Sequence, residues 1–239
     1  MIKYLQLPFQ FDVPAMQSEV LALSKGPSGT QSDWPMHYQT KHYDGEWSAL
    51  ALRSIDGSAE NIVISPVDDA VYHDTELLER SPYLQSVLNS IECPLMAVRL
   101  QKLGAGAVIK EHTDMGLCME QGFLRLHVPV ITNDEVEFYL QDEKMQLRQG
   151  ECWYLNLNLP HALSNKSNTD RIHLVIDGIV NDWVKDLFNS TTISNKKEIA
   201  DPQPDEATKK QMIRMFREMN TEVGNRMADE MEEQIKDNS

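Results

Sequence analysis

The sequence predicts a mainly β protein, built as a double-sheet jelly roll or a sandwich with flanking helices. Between residues 96 and 183 it breaks into short strand-like runs, at residues 96–103, 107–111, 123–131, 136–140, 151–157 and 171–179. Turns rich in Gly, Asn and Asp join these runs, including residues 104–106 and 132–134. Many short strands separated by close turns are typical of such architectures.

Upstream of this region the sequence predicts fewer regular elements. Residues 47–52 are predicted to form a strand. Residues 83–91 are predicted to form a short helix, which ends before Pro94. The jelly-roll core is therefore expected at about residues 96–183.

The C-terminal part has a different pattern. After a polar stretch at residues 190–204, apolar residues recur every three or four positions, as in an amphipathic helix. They are Met212, Phe216, Met219, Val223, Met227, Met231 and Ile235. Asp205 is the predicted N-cap. We expect a domain at residues 1–190, followed at 191–239 by a polar linker and a helical extension, which docks on the barrel or forms a homodimer.

Composition and charge narrow the class of protein. The chain has 239 residues, of which 41% are hydrophobic and 25% charged, and this is ordinary for a folded domain with one main core. Its formal net charge is −15 and it has no run rich in Lys or Arg, so we expect no nucleic-acid partner.

The apolar runs, the N-terminal residues and the cysteines indicate a cytoplasmic protein without a membrane partner. No apolar run approaches the length that spans a bilayer, and residues 1–11 lack the pattern of a signal peptide. Cys93, Cys118 and Cys152 form no CxxC pair, so neither a disulfide framework nor a zinc knuckle is predicted. A reducing compartment fits this cysteine usage.

Three residues have the types and spacing of a metal site. His112 and Asp114 are two positions apart, so in an extended strand both side chains leave the same face. His161 follows a predicted strand and the turn at residues 158–160, from which it could reach the same ion. Two imidazoles and one carboxylate suit a mononuclear Fe(II) site with open positions. They could also hold Zn(II) with a water in the open position.

A buried arginine is predicted next to these candidate ligands. Arg171 opens an otherwise apolar strand and shares one face with His173 and Val175. A guanidinium in such a place needs an anion, and its planar fork fits a carboxylate such as the distal one of 2-oxoglutarate. The alternative is a salt bridge to Asp170 or Asp177.

A second strand repeats this arrangement. Arg125 and His127 alternate with aliphatic residues and therefore share one face. Facing a barrel interior, they would be destabilising unless an anionic ligand or a buried acid met them. Either His127 or His173 could instead be a hydrogen-bonded core histidine, and this alternative is favoured for His173.

These motifs together resemble the aspartyl/asparaginyl β-hydroxylase-like family, and within it the bacterial proline hydroxylases. The segments that carry the resemblance are residues 98–100, 110–114, 122–129, 150–155, 159–161 and 171–177. A looser match lies upstream, at residues 44–50. The C-terminal part, at residues 195–239, is shorter than the helical extension of proline hydroxylases and differs from it in sequence.

The resemblance implies an Fe(II)- and 2-oxoglutarate-dependent dioxygenase on a double-stranded β-helix, the cupin-like form of the jelly roll. It implies that three residues bind the catalytic iron, namely His112, Asp114 and His161. By the same resemblance Arg171 binds the distal carboxylate of 2-oxoglutarate, and Arg125 and His127 complete the cosubstrate site. Asp114 sets this chain apart from the vertebrate members, which lack a carboxylate ligand. The implied reaction is hydroxylation of an unactivated C–H bond, with succinate and CO2 as co-products.

The substrate and two rival functions stay open at this point. The substrate is either a free amino acid or an amino-acid side chain of a peptide or protein. Trp47, Arg53 and Arg99 are candidate pocket residues, although a neighbouring acid would satisfy Arg99 equally well. The rivals are a non-catalytic cupin-like metal-binding or sensor module, and a zinc hydrolase with Glu111 as its general base.

Overall fold

A computed structural model describes residues 1–25, 34–64, 70–114, 116–191, 196–199 and 206–218, together with residues 228, 229, 231 and 232. The chain divides into two units, Met1–Ile199 and Ala200–Ser239. Within the described residues, no helix has both the length and the apolar character needed to cross a membrane.

The first unit consists mainly of antiparallel strands. They are β1 (Ile2–Gln10), β2 (Tyr43–Asp44), β3 (Trp47–Ser54), β4 (His73–Asp74), β5 (Leu95–Leu103), β6 (Val108–His112), β7 (Phe123–Ile131), β8 (Val136–Leu140), β9 (Glu143–Met145), β10 (Glu151–Leu155), β11 (His161–Asn165), β12 (Arg171–Ile179) and β13 (Lys196–Glu198). Eight form a large sheet in the order β13-β1-β10-β7-β12-β5-β3-β4, and five form a small sheet in the order β2-β6-β11-β8-β9.

Four helices cover one face of the large sheet. They are α1 (Val13–Leu23), α2 (Glu76–Glu79), α3 (Pro82–Asn89) and α4 (Asp182–Ser190). Two of them begin at a capping side chain, since the carboxylate of Asp12 accepts from the Ala15 amide and the side chain of Asn181 accepts from the Val184 amide, both at 3.0 Å. Their apolar residues pack with Leu, Ile and Val side chains of β1, β3, β5, β7 and β12 in the larger hydrophobic core.

The opposite face of the large sheet lies against the small sheet. A second hydrophobic core fills part of this space, and it includes Trp47, Leu103, Phe138, Trp153 and Leu163. Because side chains alternate along a strand, β7 and β12 send one set of residues to the helices and the other set between the sheets. This two-sheet arrangement is the double-stranded β-helix, so the predicted fold class is confirmed.

Most predicted elements agree with the structure. The strands at residues 123–131, 136–140 and 171–179 have the predicted bounds, and the predicted helix at 83–91 corresponds to α3. Four strands differ by one or two residues at an end: β5 gains Leu95, β6 is shifted by one residue, β10 ends at Leu155 and β3 extends to Ser54.

Several elements of the first unit were not predicted, among them β1, α1, β11 and α4. Strand β1 shows why a local pattern was insufficient. It pairs with β10 and β13, for example Leu5 with Tyr154 and with Lys196, and no neighbouring turn indicates such distant partners. Its β structure therefore depends on tertiary pairing rather than on local sequence.

The C-terminal region agrees in part with the prediction. Strand β13 lies inside residues 191–239, which the sequence assigned to a linker and a helical extension. In the second unit, α5 (Glu206–Glu218) contains Met212 and Phe216 of the predicted stripe. The predicted N-cap and four further members of the stripe lie outside the described residues: Asp205, Met219, Val223, Met227 and Ile235.

Candidate functional site

Three candidate ligands converge where two neighbouring strands of the small sheet, β6 and β11, end and begin. His112 ends β6 and His161 begins β11, and the two residues are directly paired in the antiparallel register. Asp114 follows β6, where its backbone amide donates to the Leu157 carbonyl at 2.8 Å. One ligand atom from each of these three side chains lies within 4.8 Å of the other two, close enough for a shared metal ion. The structure therefore brings together the three residues that the sequence singled out.

The orientation of the two histidines suits metal binding. The Nδ1 atom of His112 lies 2.8 Å from the Lys110 carbonyl, and that of His161 lies 3.0 Å from the Leu159 carbonyl. A carbonyl can only accept, so in each ring Nδ1 carries the proton and Nε2 is free to act as a ligand. Burial lowers the pKa of His161 to about 4, so this ring is neutral at physiological pH.

Asp114 is held by a buried arginine. Arg125 Nη1 donates to Asp114 Oδ2 at 2.6 Å, while Asp114 Oδ1 lies 3.6 Å from His112 Nε2. Burial disfavours the charged carboxylate, but the positive charge of Arg125 outweighs this effect and holds the pKa of Asp114 below its ordinary value. Asp114 is therefore an ionised, hard oxygen donor.

Arg171 is buried, and none of the acids that the structure describes is its partner. It is 3% exposed, its Nη2 atom lies 2.8 Å from His173 Nδ1, and its Nε atom has no partner among the described residues. No described acid lies within ion-pair distance of Arg171, so the alternative salt bridge to Asp170 or Asp177 is absent from the described part of the chain. Burial lowers the pKa of Arg171 to about 9, which still leaves it charged at neutral pH.

Arg125 makes a different set of contacts from those of Arg171. It donates through Nε and Nη2 to the two oxygens of Asp177, at 2.6 and 3.1 Å, besides its bond to Asp114. Asp177 also accepts from Arg99 at 2.8 Å. The expected acid beside Arg99 is therefore present. Arg125, expected beside the cosubstrate, is hydrogen-bonded in this structure to two acids.

The two candidate core histidines also differ. His173 accepts a hydrogen bond from Arg171, as the hydrogen-bonded alternative predicts. His127 is 5% exposed, and neither of its ring nitrogens has a partner among the described residues. Burial, reinforced by the charges of Arg171 and Arg125, lowers the pKa of His127 far below its ordinary value. His127 is thus a neutral ring with unused hydrogen-bonding capacity.

One cavity of about 590 Å³ connects these groups. The three candidate ligands, Arg171, Arg125 and His127 all line it. Trp47 and Arg99, which the sequence offered as pocket residues, line it as well. Arg53 does not, because it is paired with Asp74 and donates to the Tyr72 carbonyl at 2.7 Å. The cavity is thus lined both by the three candidate metal ligands and by three arginine side chains, those of Arg99, Arg125 and Arg171.

Sequence reasoning missed His37, which forms part of the cavity wall. Its ring stacks on Trp47, with ring centroids 3.5 Å apart and an interplanar angle of 11°. Burial lowers the pKa of His37 to about 3. The surrounding residues show no strand or helix periodicity, so no pattern in the sequence could have indicated its place.

The structure is thus a double-stranded β-helix in which two histidines and one carboxylate lie together in a cavity. Residues 10–180, more than half of the chain, match the family described as Aspartyl/Asparaginyl beta-hydroxylase. The chain belongs to this family, as the motifs predicted.

Individual relatives are proline hydroxylases. The chain is 32% identical to L-proline cis-4-hydroxylase of Rhizobium meliloti (strain 1021) over 136 residues, or 56% of this chain and 48% of the relative. It is 24% identical to L-proline cis-3-hydroxylase 2 of Streptomyces sp over 137 residues, or 56% of this chain and 47% of the relative. The chain thus spans about half the length of these curated relatives.

Solved structures of hydroxylases also align with the chain. A Pseudomonas putida prolyl-4-hydroxylase aligns with a TM-score of 0.44 and 8% identity, over 76% of this chain and 94% of the other.

Proposed function

We propose that this protein is an Fe(II)- and 2-oxoglutarate-dependent dioxygenase that hydroxylates an unactivated C–H bond of an amino acid or an amino-acid side chain. Succinate and CO2 are the co-products. The observation that carries the proposal is the charged Arg171, which is buried without a carboxylate partner among the described residues, in the cavity that also contains His112, Asp114 and His161. A scaffold without a ligand has no use for such a group, because an unpaired buried charge is destabilising.

The proposed metal ligands are His112, Asp114 and His161. Two imidazoles and one carboxylate fit Fe(II), and they leave the remaining coordination positions open. Bound iron would supply the redox chemistry that couples the oxidative decarboxylation of 2-oxoglutarate to the transfer of one atom of dioxygen into an unactivated C–H bond, while the other atom enters succinate. The protein holds the two rings by the carbonyls of Lys110 and Leu159, so they are oriented before a metal arrives.

The proposed cosubstrate site lies in the same cavity. Arg171 would bind the distal carboxylate of 2-oxoglutarate through its planar guanidinium, with charge-assisted hydrogen bonds. Its contact with His173 leaves the Nε atom without a partner. His127 would complete the site, since an incoming ligand could satisfy a ring nitrogen that has no described partner.

The dimensions of the cavity favour a small substrate. A volume of about 590 Å³ lies within the range of small-molecule sites, which is about 300–1,000 Å³. We therefore propose a free amino acid rather than a residue in a folded protein. L-Proline is the first candidate, because two relatives are named as L-proline hydroxylases.

The zinc hydrolase alternative is weakened by the position of Glu111. This residue was its candidate general base, but its side chain is exposed and does not line the cavity. A base must reach the metal-bound water to remove its proton. Asp114, the acid at the centre, is itself a proposed ligand.

Location and assembly complete the proposal. Cys93, Cys118 and Cys152 are all unpaired, as is usual in a reducing compartment, and we propose a cytoplasmic protein. We also retain the proposal of a homodimer formed through the C-terminal helix. Light scattering of the full chain at several concentrations tests it, and a monomeric mass throughout would contradict it.

Succinate formation tests the proposed reaction. The protein is incubated with Fe(II), 2-oxoglutarate and oxygen, and free amino acids are added singly, beginning with L-proline. We expect one or a few of them to increase succinate formation and to gain one oxygen atom by mass spectrometry. The matched control is the Asp114→Ala variant, for which no stimulation is expected. Succinate formation that neither depends on Fe(II) nor responds to any amino acid or peptide would contradict the proposal.

A further inference from the structure

Four charged residues, three of them buried and the fourth partly exposed, form a continuous chain of ion pairs that ends at the candidate metal centre. In order they are Arg99, Asp177, Arg125 and Asp114. Asp177 is 0% exposed, and both of its carboxylate oxygens accept hydrogen bonds from arginines. We call this set the buried ion-pair chain.

The members of the buried ion-pair chain are anchored on neighbouring strands of the large sheet. Arg99 lies on β5, Asp177 on β12 and Arg125 on β7, and β12 is hydrogen-bonded between the other two. Asp177 and Arg125 are directly opposite each other in the register. Cross-strand partners of this kind are held by the backbone as well as by their side chains.

Asp177 binds two N–H groups on one edge of the Arg125 guanidinium. Its Oδ1 atom accepts from Nε at 2.6 Å, and its Oδ2 atom accepts from Nη2 at 3.1 Å. A two-pronged contact of this type fixes the plane of the guanidinium. The Nη1 atom then points to Asp114 Oδ2, which it contacts at 2.6 Å.

The same contact decides which oxygen of Asp114 remains available. With Oδ2 engaged by Arg125, Oδ1 is the atom that lies 3.6 Å from His112 Nε2. We propose that Asp177 is a positioning residue, which orients Arg125 and through it presents Asp114 Oδ1 to the metal. This inference rests on the proposed function, because it takes Asp114 as a metal ligand.

The negative charge of Asp177 favours metal binding, as does its orienting effect on Arg125. Asp177 lies between two guanidinium groups, those of Arg99 and Arg125. Removal of its negative charge would leave their positive charges less compensated beside a site for a divalent cation. Both effects weaken metal binding. The Asp177→Asn variant, which keeps the size of the side chain, is therefore expected to bind metal more weakly than the wild type.

Metal affinity, measured without turnover, tests the proposal. Co(II) is titrated into the full-length wild type, Asp177→Asn, Arg125→Gln and the double variant, and its visible absorption is followed. For Asp177→Asn we expect the dissociation constant to rise by about 10–100-fold, which is typical when an outer partner of a metal ligand is removed. If Asp177 acts mainly through Arg125, the loss of affinity in the double variant is smaller than the sum of the two single losses.

Glu137→Gln is the matched control. Glu137 is an ion-paired acid on β8, with Lys144 at 3.0 Å and Lys166 at 2.6 Å, and it is not part of the buried ion-pair chain. We expect it to bind Co(II) like the wild type. Thermal unfolding followed by circular dichroism establishes that each variant is folded.

The possible results separate this inference from the proposed function. Wild-type affinity in folded Asp177→Asn overturns the role of Asp177, and so does a double variant whose loss is the sum of the two single losses. If Asp177→Asn does not fold, Arg125→Lys decides: it keeps the charge but loses the two-pronged contact, and unchanged affinity overturns the proposal. A wild type that binds no metal contradicts the proposed function itself.

Discussion

His112 and His161 lie directly opposite each other in the antiparallel pair of β6 and β11, with their ring centroids 4.3 Å apart. Each ring is also held at Nδ1 by a carbonyl two residues earlier in its own strand or turn. The third candidate ligand, Asp114, is fixed from the other sheet by Arg125. The site is therefore assembled by both sheets, and single substitutions can separate metal binding from cosubstrate binding.

The first prediction concerns the ligands. Asp114→Ala and His161→Ala are expected to lose Fe(II) binding and to reduce succinate formation to the level of a protein-free reaction, because two remaining ligands hold the ion poorly. Equilibrium dialysis against Fe(II) under anaerobic conditions measures the binding. Glu111→Ala, on the same strand as His112 but exposed, is expected to behave like the wild type. Full activity of Asp114→Ala would exclude Asp114 as a ligand.

The second prediction concerns Arg171. Arg171→Met should raise the 2-oxoglutarate concentration for half-maximal succinate formation by at least about tenfold, since hydrogen bonds to charged groups contribute about 1.5–3 kcal/mol. Fe(II) binding should be retained, because Arg171 is not a candidate ligand. Arg53→Met is the matched control, as Arg53 pairs with Asp74 and does not line the cavity. An unchanged requirement for 2-oxoglutarate would remove Arg171 from its proposed role.

The third prediction concerns His127, whose two ring nitrogens are buried without a described partner. Replacing an unsatisfied buried polar group by an apolar one removes a desolvation cost of about 1–3 kcal/mol. His127→Leu should therefore be at least as stable as the wild type in urea unfolding at pH 7.5, yet require more 2-oxoglutarate. A destabilised variant with normal cosubstrate dependence would mean that His127 is structural.

The fourth prediction is a loss of stability in mild acid. His127, His161 and His173 are buried, and burial lowers the pKa of each, to about 4 for His161. Below the ordinary value of about 6.5, the unfolded chain binds protons that the folded chain does not, so the free energy of unfolding falls as pH falls. Each such histidine contributes at most about 1.4 kcal/mol per pH unit between pH 6.5 and its folded pKa.

Urea unfolding of the metal-free protein at pH 7.5, 6.5 and 5.5 measures this effect. We expect nearly constant stability above pH 7 and a decline from 6.5 to 5.5. His127→Leu should show a shallower decline, because it has one titrating ring fewer. Equal wild-type stability at pH 7.5 and 5.5 would contradict the burial of neutral histidines.

The sequence predicted the strands whose pattern is local. Arg171–Ile179 and Phe123–Ile131 alternate between polar and aliphatic residues, because one face of each strand meets the helices and the other meets the cavity. The same alternation indicated that Arg125 and Arg171 face the interior. Contacts between residues far apart in the sequence could not be predicted in this way. Strand β1, for example, pairs with strands about 150 and 190 residues away.

The partners of the individual charged residues could not be predicted from the sequence either. Asp177 shares a strand face with Arg171, so pairing of the two was a reasonable alternative. In the structure Asp177 pairs across strands with Arg125 and Arg99 instead, and Arg171 contacts His173. Which acid meets which arginine depends on strand order and register, and neither follows from residue spacing.

Joint binding of Fe(II) and 2-oxoglutarate by this chain can be measured by anaerobic absorption spectroscopy. The metal-free protein is mixed with Fe(II) and then with 2-oxoglutarate under exclusion of oxygen. We expect a weak visible charge-transfer band that appears only with both additions and is absent from Asp114→Ala. No such band, together with stoichiometric binding of zinc, would show that the protein is not an Fe(II)- and 2-oxoglutarate-dependent dioxygenase.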